Sequence, residues 1–332
     1  MSKYVRVVIA GLVLGSVTLM VQAQSSKPYT YLRAGNAADL SPKTQPGFAL
    51  MGGGTDLDEA FRWMCGHAGG GDFLILRSHG TDAYNAYVQG LCPLNSVATL
   101  IVPSRAAAAD PAVAEIVSKA EAIFIAGGDQ AEYVNFWRGT AMEAALNEAI
   151  GRGVPEGGTS AGLAVQGEYI YSAQNDAPKN PNLSSAAALA DPFTRQMALV
   201  HGFLKIPMLA ATITDSHFVR RDRLGRLLAM MARILQDPKV KELKGIGIDE
   251  GTAVLLEANG KAKVVGSGAA YFLRADKAPA LRPGLPLEFG PVAAVKVAAG
   301  VVFDMAGWKG EAQTYTYSVR SGIVHSSIGA VY

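Results

Sequence analysis

The chain has 332 residues, of which 49% are hydrophobic and 17% charged. This balance is typical of a globular protein with enough length for one large or two ordinary domains. Lys and Arg number 30 against 28 Asp and Glu, and removing Lys3 and Arg6 with a predicted leader leaves 28 of each sign. An even balance argues against nucleic acid or an anionic membrane surface as a partner. Any attraction for a charged substrate must come from a local cluster.

Residues 1–23 predict a secretory signal. Lys3 and Arg6 precede an apolar stretch, Val7–Met20, and Val21-Gln22-Ala23 forms a small-x-small cleavage site. A bilayer span needs about 20 apolar residues, so this stretch is short for a membrane anchor. We expect an exported protein, periplasmic or extracellular, with no membrane contact after cleavage.

Cys65 and Cys92 are the two cysteines of the chain. In an oxidising compartment such a pair favours a disulfide. Two thiols without an adjacent histidine pattern do not indicate a metal site.

The first half of the chain alternates predicted strands with predicted helices. Residues 24–45 are polar and punctuated by prolines, which predicts an extended lead-in. Continuous apolar runs predict buried parallel strands at Asp72–Arg77, Val97–Val102 and Ala122–Ala126. Helices are predicted over Leu57–His67, with Thr55 or Asp56 as the cap, over Ala112–Ala120, with Asp110 as the cap and Pro111 at the first position, and over Ala141–Ile150. This order predicts a three-layer α/β fold, with a mostly parallel sheet covered by helices on both faces.

The second half predicts one long helix and several further strands. The helix is expected over Arg221–Leu235, and Asn259-Gly260 predicts a hairpin. The strands are expected at Met208–Thr214, Gly245–Glu250, Ala253–Glu257, Lys261–Val265, Ala269–Arg274 and Val292–Phe303, with a surface strand pair in Gln313–Tyr332. We predict one catalytic domain over residues 24–332, with a core of about 48–273 and a β-rich extension over 274–332.

A G-x-S-x-G pentapeptide, Gly158–Gly162, lies between an apolar approach and a run of small residues. On a sharp turn from a strand into a helix, the hydroxyl of Ser160 would stand clear beside the N–H groups of the new helix. A structural serine in a glycine-rich turn is the alternative interpretation. The rest of the chain has to distinguish them.

Serine catalysis needs a base and a group that orients the base. His217 directly follows a predicted strand, and Asp249 and Glu250 end the next one. In sheets of this kind functional groups gather beyond the carboxyl ends of the strands. Arginines follow the histidine at positions 220, 221, 223 and 226. Such a run is either a solvated helix face or a carboxylate-binding site. No nucleotide fingerprint appears at the strand ends, so no cofactor is indicated.

Taken together, four motifs resemble the cyanophycinases, serine exopeptidases related to the aspartyl dipeptidases. The motifs are Gly127-Gly128-Asp129-Gln130, Gly158-Thr159-Ser160-Ala161-Gly162, Asp215-Ser216-His217-Phe218 with Arg221, Arg223, Leu224, Gly225 and Arg226, and Gly247-Ile248-Asp249-Glu250. The resemblance covers roughly Phe48–Leu273 and implies a fold like that of class I glutamine amidotransferases, which is flavodoxin-like. The predicted signal and the long β-rich tail are more similar to an exported branch of the family.

The resemblance implies Ser160 as nucleophile, His217 as base and Glu250 as the acid, with Asp249 as the alternative acid. It also implies substrate contacts by Gln130, Asp215, Arg221, Arg223 and Arg226. The family substrate is cyanophycin, a polyaspartate with arginine on each β-carboxyl, which is cut to β-aspartyl-arginine dipeptides. Another β-linked aspartyl peptide is the alternative substrate.

The oxyanion of the acyl-transfer step is expected to receive N–H groups from Ala161 and from Gly127 or Gly128. Two rival hypotheses are an esterase of the α/β-hydrolase type, with Ser160, Asp249 and His325, and a non-catalytic exported binding protein. The sequence leaves the oligomeric state open, a homodimer included.

Overall fold

A computed structural model describes residues 27–176 and 182–332. The predicted signal over residues 1–23 lies outside the described residues. The helices are α1 (Asp58–His67), α2 (Ala83–Leu91), α3 (Arg105–Ala108), α4 (Pro111–Ser118), α5 (Gln130–Trp137), α6 (Ala141–Gly151), α7 (Ala161–Ala164), α8 (Ser185–Ala190) and α9 (Leu224–Ile234). The strands are β1 (Thr30–Gly35), β2 (Gly47–Met51), β3 (Asp72–Arg77), β4 (Ser96–Ile101), β5 (Ala122–Ile125), β6 (Glu156–Thr159), β7 (Tyr169–Tyr171), β8 (Leu199–His201), β9 (Thr212–Asp215), β10 (Leu243–Ile248), β11 (Thr252–Glu257), β12 (Lys261–Gly266), β13 (Ala269–Ala275), β14 (Phe289–Ala298), β15 (Val302–Asp304), β16 (Lys309–Gly310), β17 (Thr314–Arg320) and β18 (Ile323–Ser326).

The first sheet has a parallel centre and antiparallel flanks. Its order is β1-β4-β3-β5-β6-β2-β11-β12-β15-β16. Strands β4, β3, β5, β6 and β2 are parallel to their neighbours in this central block. Strand β1 joins β4, and β11 joins β2, in the antiparallel sense. The α/β fold class is therefore confirmed, and the parallel pairing predicted from the apolar runs is the core of this sheet.

The second sheet contains β14, β17 and β18 of the predicted extension, whereas β15 and β16 belong to the first sheet. The order of the second sheet is β18-β17-β14-β13-β10-β9-β7-β8. Strand β9 lies parallel to β10 and to β7, whereas β13, β14, β17 and β18 continue the sheet in antiparallel pairs. Much of the β-rich tail thus extends the sheet that contains the strand before His217.

Successive residues of β3 show how the first sheet is covered on both faces. Phe73 and Ile75 pack with Phe61 of α1 and Val88 of α2. Leu74 and Leu76 point the other way and join a cluster with α4, α5 and α6. Because side chains alternate along a strand, a continuous apolar run implies cover on both sides. Helix α9 packs its predicted inward residues, among them Leu227, Leu228 and Met231, against the second sheet.

Several predicted elements differ in the structure. Residues 24–45 contain β1, whose Thr30 lies opposite Ile101 of β4, and helices α2 and α5 were not predicted. The strand predicted from Met208 begins at Thr212, after a short 3₁₀ turn. The run Val292–Phe303 is divided between β14 and β15, which are joined by a turn at Gly300. The helix predicted from Arg221 begins at Leu224.

The two predicted helix caps have different outcomes. Asp110 caps α4 as predicted, with its Oδ1 accepting the N–H of Ala112 at 2.9 Å. The prediction for α1 was wrong: its N-cap residue is Leu57, which makes no side-chain cap bond. Asp56 precedes the N-cap residue and accepts the hydroxyl of Tyr84 at 2.5 Å instead.

The structure joins Cys65 of α1 to Cys92, which follows α2, with an S–S distance of 1.93 Å and Cα atoms 6.4 Å apart. The bridge ties together the two helices on one face of the first sheet. Within the described ranges, no helix has both the length and the apolar character needed to cross a membrane.

A buried acid lies at the start of β6, the strand that leads to Ser160. Glu156 is 1% exposed, and its Oε2 accepts the side-chain amide of Gln166 at 2.8 Å. Glu156 Oε1 and Gln166 Oε1 have no hydrogen-bond partner in residues 27–176 and 182–332. Burial raises the pKa of Glu156 to about 8, against the opposing effect of the Gln166 bond. A protonated Glu156 turns Oε1 from an unpaired acceptor into a donor, and Gln166 Oε1 is an acceptor without a partner.

Candidate active site

Three strand ends bring Ser160, His217 and Glu250 together. Ser160 follows β6, His217 lies two residues after β9, and Glu250 lies two residues after β10. Ser160 N–H donates to Met51 O at 3.2 Å and so continues the pairing of β6 with β2 in the first sheet. His217 N–H donates to Gly52 O at 2.7 Å and so joins the end of β9, in the second sheet, to the first sheet. Both acceptors lie at the end of β2, so this edge of the first sheet holds the serine and the histidine.

The side chains of these residues form a continuous hydrogen-bonded series. Ser160 Oγ lies 2.7 Å from His217 Nε2, and His217 Nδ1 lies 2.5 Å from Glu250 Oε1. The alternative acid has another position: Asp249 accepts the backbone N–H groups of Val219 at 3.2 Å and Ala269 at 3.1 Å. Of the two acids that the sequence left open, Glu250 is the one that contacts the imidazole.

The turn at Ser160 explains why its neighbours are glycines. Ser160 has φ 53° and ψ −108°, a conformation that side chains seldom adopt outside strained functional turns. A Cβ on Gly158 would lie 2.6 Å from the carbonyl carbon of Gly162, and a Cβ on Gly162 would lie 2.0 Å from Ile125 O. Larger residues would displace the backbone of α7 or β5, so the pentapeptide follows from packing as well as from chemistry.

Gly53 is a site residue whose role the sequence did not reveal. A Cβ at this position would lie 2.6 Å from His217 Nε2 and 3.1 Å from the Cβ of Ser160, and the residue has φ +90°. The backbone of Gly53 therefore packs directly against the imidazole of His217. A side chain at this position would clash with His217 and Ser160 and push them apart. Three consecutive glycines after a strand are the signal that could have identified it.

A cavity of about 490 Å³ opens beside Ser160. Its lining includes the predicted residues Gly128, Gln130, Ser160, Ala161, Asp215, Arg221, Arg223 and Arg226, and also Tyr171 and Asp176, which were not predicted. A Cβ built on Gly127 would lie 3.5 Å from the Cβ of Ser160, so this glycine is adjacent to the serine. Ala161 is the first residue of α7, where N–H groups have no acceptor within the helix. The expected oxyanion donors are thus near the hydroxyl.

Asp215 organises two of the arginines on the cavity wall. Arg226 donates from Nε to Asp215 Oδ2 at 2.7 Å and from Nη2 to Oδ1 at 2.5 Å. Arg223 donates from Nη1 to Asp215 Oδ1 at 3.2 Å and to Ser216 O at 2.8 Å. All three charged side chains are buried, and the guanidinium of Arg226 lies 5.1 Å from the ring centre of Tyr171. Burial alone would raise the pKa of Asp215, but the two guanidinium groups hold it below its usual value.

Arg221 has a different setting, since it is exposed in the turn between β9 and α9. In the described part of the chain its side chain makes no hydrogen bond or ion pair, whereas its backbone N–H donates to His217 O at 3.0 Å. Its charge also reaches the base. Burial lowers the pKa of His217, the bond to Glu250 raises it, and the charges of Arg221 and Arg223 lower it further. The net shift is downward, so the imidazole is neutral near pH 7.

The alternative triad is not assembled. His325 lies on β18, the outermost strand of the second sheet, opposite Ser318 of β17. Asp249 is occupied by the backbone of Val219 and Ala269. The esterase hypothesis that used these two residues is therefore wrong in its geometry.

The fold and the geometry at Ser160 define an α/β protein with a serine–histidine–glutamate triad at the carboxyl ends of its strands. The sequence profile of peptidase family S51 matches residues 97–264, which is just over half of the chain. The chain belongs to this family, as the resemblance to the cyanophycinases predicted.

Curated relatives are similar over part of their length. The cyanophycinase of Geminocystis herdmanii is 31% identical over 155 residues, covering 46% of this chain and 49% of that protein. The cyanophycinase of Synechococcus elongatus is 29% identical over 178 residues, covering 53% and 48%. The chain thus spans about half the length of the curated relatives it matches. The crystal structure of a peptidase from an acI-B1 Actinobacterium aligns with a TM-score of 0.50 and 19% identity, covering 79% of this chain and 98% of that one, and supports the fold.

Proposed function

We propose that this protein is a serine exopeptidase that hydrolyses cyanophycin, or a related β-linked aspartyl peptide, to dipeptides of the β-aspartyl-arginine type. The observation that carries the proposal is the Ser160–His217–Glu250 series at the mouth of a cavity walled by arginines. The similarity to two proteins named cyanophycinase supports it.

In the proposed cycle, His217 Nε2 takes the proton of Ser160 as Oγ attacks the scissile carbonyl. Glu250 accepts the N–H of Nδ1, which fixes the tautomer and stabilises the imidazolium. The N–H groups of Ala161 and of Gly127 or Gly128 receive the oxyanion. The imidazolium then protonates the leaving amine, and a water activated by the same base hydrolyses the acyl-enzyme.

The arginines suit a substrate that carries carboxylates. Asp215 fixes the orientation of Arg223 and Arg226, whereas Arg221 is exposed at the cavity. Guanidinium groups bind carboxylates through paired hydrogen bonds. In the proposed polymer each aspartate β-carboxyl forms an amide bond with an arginine, so the free carboxylate in each unit is that of the attached arginine. Gln130 lines the same cavity and offers an amide for a substrate carbonyl. A neutral ester has no carboxylate that these arginines could bind.

The test is to incubate the purified protein with cyanophycin and identify the products by mass. Release of aspartyl-arginine dipeptides, without cleavage of a simple ester, is the expected result. If a serine-directed phosphonate labels Ser160 but no dipeptide appears, the protein is a hydrolase with another substrate. If it neither reacts with the phosphonate nor cleaves the polymer, the binding-protein hypothesis replaces the proposal.

The lowered pKa of His217 predicts the pH dependence of the reaction. The base must be neutral, so kcat/KM should fall on the acid side through a pKa below 6.5. Arg221→Met removes a cation that disfavours the imidazolium and should move this limb towards higher pH. Arg282→Met, at an exposed arginine between β13 and β14, is the matched control and should leave the limb in place. A limb unmoved by Arg221→Met would contradict the coupling.

We also propose that the protein acts outside the cytoplasm. The predicted signal motivates this, and the pairing of Cys65 with Cys92 suits an oxidising compartment. N-terminal sequencing of the secreted protein should begin at Gln24, and an intact Met1 would contradict export.

A further inference from the structure

The base and the arginines are connected by one short segment, His217–Arg223, which we call the arginine turn. Its backbone is strained at both ends, because His217 has φ 50° and Asp222 has φ 47°. Positive φ is unfavourable for residues other than glycine, so surrounding contacts have to hold it. The segment therefore needs fixed points at each end.

The first half of the arginine turn is held by the strands. His217 N–H donates to Gly52 O at 2.7 Å, and Phe218 N–H donates to Ile248 O at 3.1 Å. Asp249 adds the bond from Val219 N–H at 3.2 Å. These contacts fix the imidazole but lie before the arginines.

The second half is held by a backbone bond within the turn, from Arg223 N–H to Phe218 O at 2.9 Å, and by side chains, two of them from distant parts of the chain. Ser185 donates its hydroxyl to Asp222 O. The hydroxyl of Tyr332 donates to Asp222 Oδ1 at 2.7 Å and accepts the N–H of Leu224 at 3.0 Å. One oxygen thus bridges the residues on either side of Arg223, across sequence separations of 110 and 108 residues.

The ring of Tyr332 gives this hydroxyl a defined position. It packs edge-on against Phe218, with ring centres 6.0 Å apart, and against Tyr271 at 6.1 Å. Phe218 belongs to the arginine turn and Tyr271 to β13 of the second sheet. The residue therefore contacts both halves of the turn and a strand of the second sheet.

We propose that Tyr332 is a positioning residue for substrate binding: its hydroxyl, bonded to Asp222 and Leu224, sets the arginine turn in the geometry that presents Arg221 and Arg223 to an anionic peptide. The proposal rests on the proposed function for its substrate. Tyr332 does not line the cavity and acts only through the turn.

Tyr332→Phe tests it, because this change removes the oxygen and keeps the ring. We expect KM for the anionic peptide to rise about fivefold to twentyfold, with kcat changed less than about threefold. The matched control is Tyr87→Phe, which also removes a tyrosine hydroxyl bonded to an aspartate. Tyr87 lies on α2 and donates to Asp58 of α1 at 2.6 Å. The control should leave KM unchanged. Asp222→Ala removes only the bond between Tyr332 and Asp222 and should raise KM less than Tyr332→Phe, which also removes the bond from Leu224 N–H. The double variant should be no worse than Tyr332→Phe alone, because that variant already lacks the shared bond.

Hydrogen exchange supplies a readout that needs no substrate. Amides of residues 217–224 should exchange at least tenfold faster in Tyr332→Phe than in the parent or in Tyr87→Phe. The inference is overturned if Tyr332→Phe shows unchanged exchange at these amides. It is also overturned if the parent cleaves the peptide and Tyr332→Phe does so with an unchanged KM. If the parent has no peptidase activity but Tyr332→Phe still exchanges faster than the parent, the positioning of the turn is supported and the proposed function is rejected. The two failures are therefore distinguishable.

Discussion

Ser160→Ala should abolish peptide hydrolysis, with kcat reduced on the order of 10⁴-fold or more, while the fold remains intact. The hydroxyl is the atom that lies 2.7 Å from the base, and its removal leaves His217 without a proton to take. Alanine tolerates the turn no worse than serine, and the backbone bond from residue 160 to Met51 is kept. Initial rates on cyanophycin, with circular dichroism as the check on folding, measure the effect.

Ser118→Ala is the matched control, since Ser118 is an exposed serine at the end of α4 whose hydroxyl bonds a backbone carbonyl. It should leave the rate unchanged. His217→Ala should cost as much as Ser160→Ala, whereas His325→Ala should cost nothing. Retained hydrolysis in Ser160→Ala would remove this serine from the reaction.

Asp215→Asn should destabilise the protein by about 3–5 kcal/mol and eliminate tight substrate binding. The change leaves two buried guanidinium groups without their counter-ion, and an unpaired buried charge is far more costly than a lost surface pair. Arg226 is 2% exposed, so its charge depends on this counter-ion rather than on solvent. The free energy of unfolding in urea, together with KM where the variant folds, measures both effects.

Glu59→Gln provides the comparison for this variant. Glu59 forms an ion pair with Lys263 at 3.0 Å, with both side chains more than half exposed. Such pairs contribute about 0–1 kcal/mol, so this variant should unfold close to the parent. Equal losses in the two variants would show that Asp215 is not the counter-ion on which the arginine wall depends.

Patterns local in sequence predicted most of the sheet. The continuous runs at β3, β4 and β5 are apolar enough to require cover on both faces, and the structure provides it. Strand β1 was missed because its residues are largely polar or exposed, and its strand character comes from pairing with β4. Helix α2 is short, with only Asn85 and Val88 buried, so it has little amphipathic signal.

The triad was predictable in part because functional groups gather beyond the carboxyl ends of strands. The strands that precede Ser160 and His217, β6 and β9, lie in different sheets, which the sequence did not predict. The rule about strand ends placed Ser160 and His217 together, but it could not choose between Asp249 and Glu250, which are neighbours beyond the end of β10. Consecutive residues point in different directions, and only the path after Ile248 decides which carboxylate faces the imidazole. The roles of Gly53 and Tyr332 depend on contacts with residues more than 100 positions away. For Gly53 the run of three glycines is a local signal, whereas for Tyr332 the sequence carries none.

The protonated carboxyl of Glu156, at the start of the strand that leads to Ser160, has a thermodynamic consequence. Glu156 keeps its proton in the folded chain up to about pH 8, whereas the unfolded chain releases it near pH 4.5. Between these pH values folding takes up a proton. The contribution of Glu156 to the free energy of unfolding therefore falls by about 1.4 kcal/mol for each pH unit as the pH rises. Glutamine at position 156 would mimic the neutral acid and remove this slope. The contribution of Glu156 to stability is therefore fully present below about pH 4.5 and is lost as the pH rises to about 8.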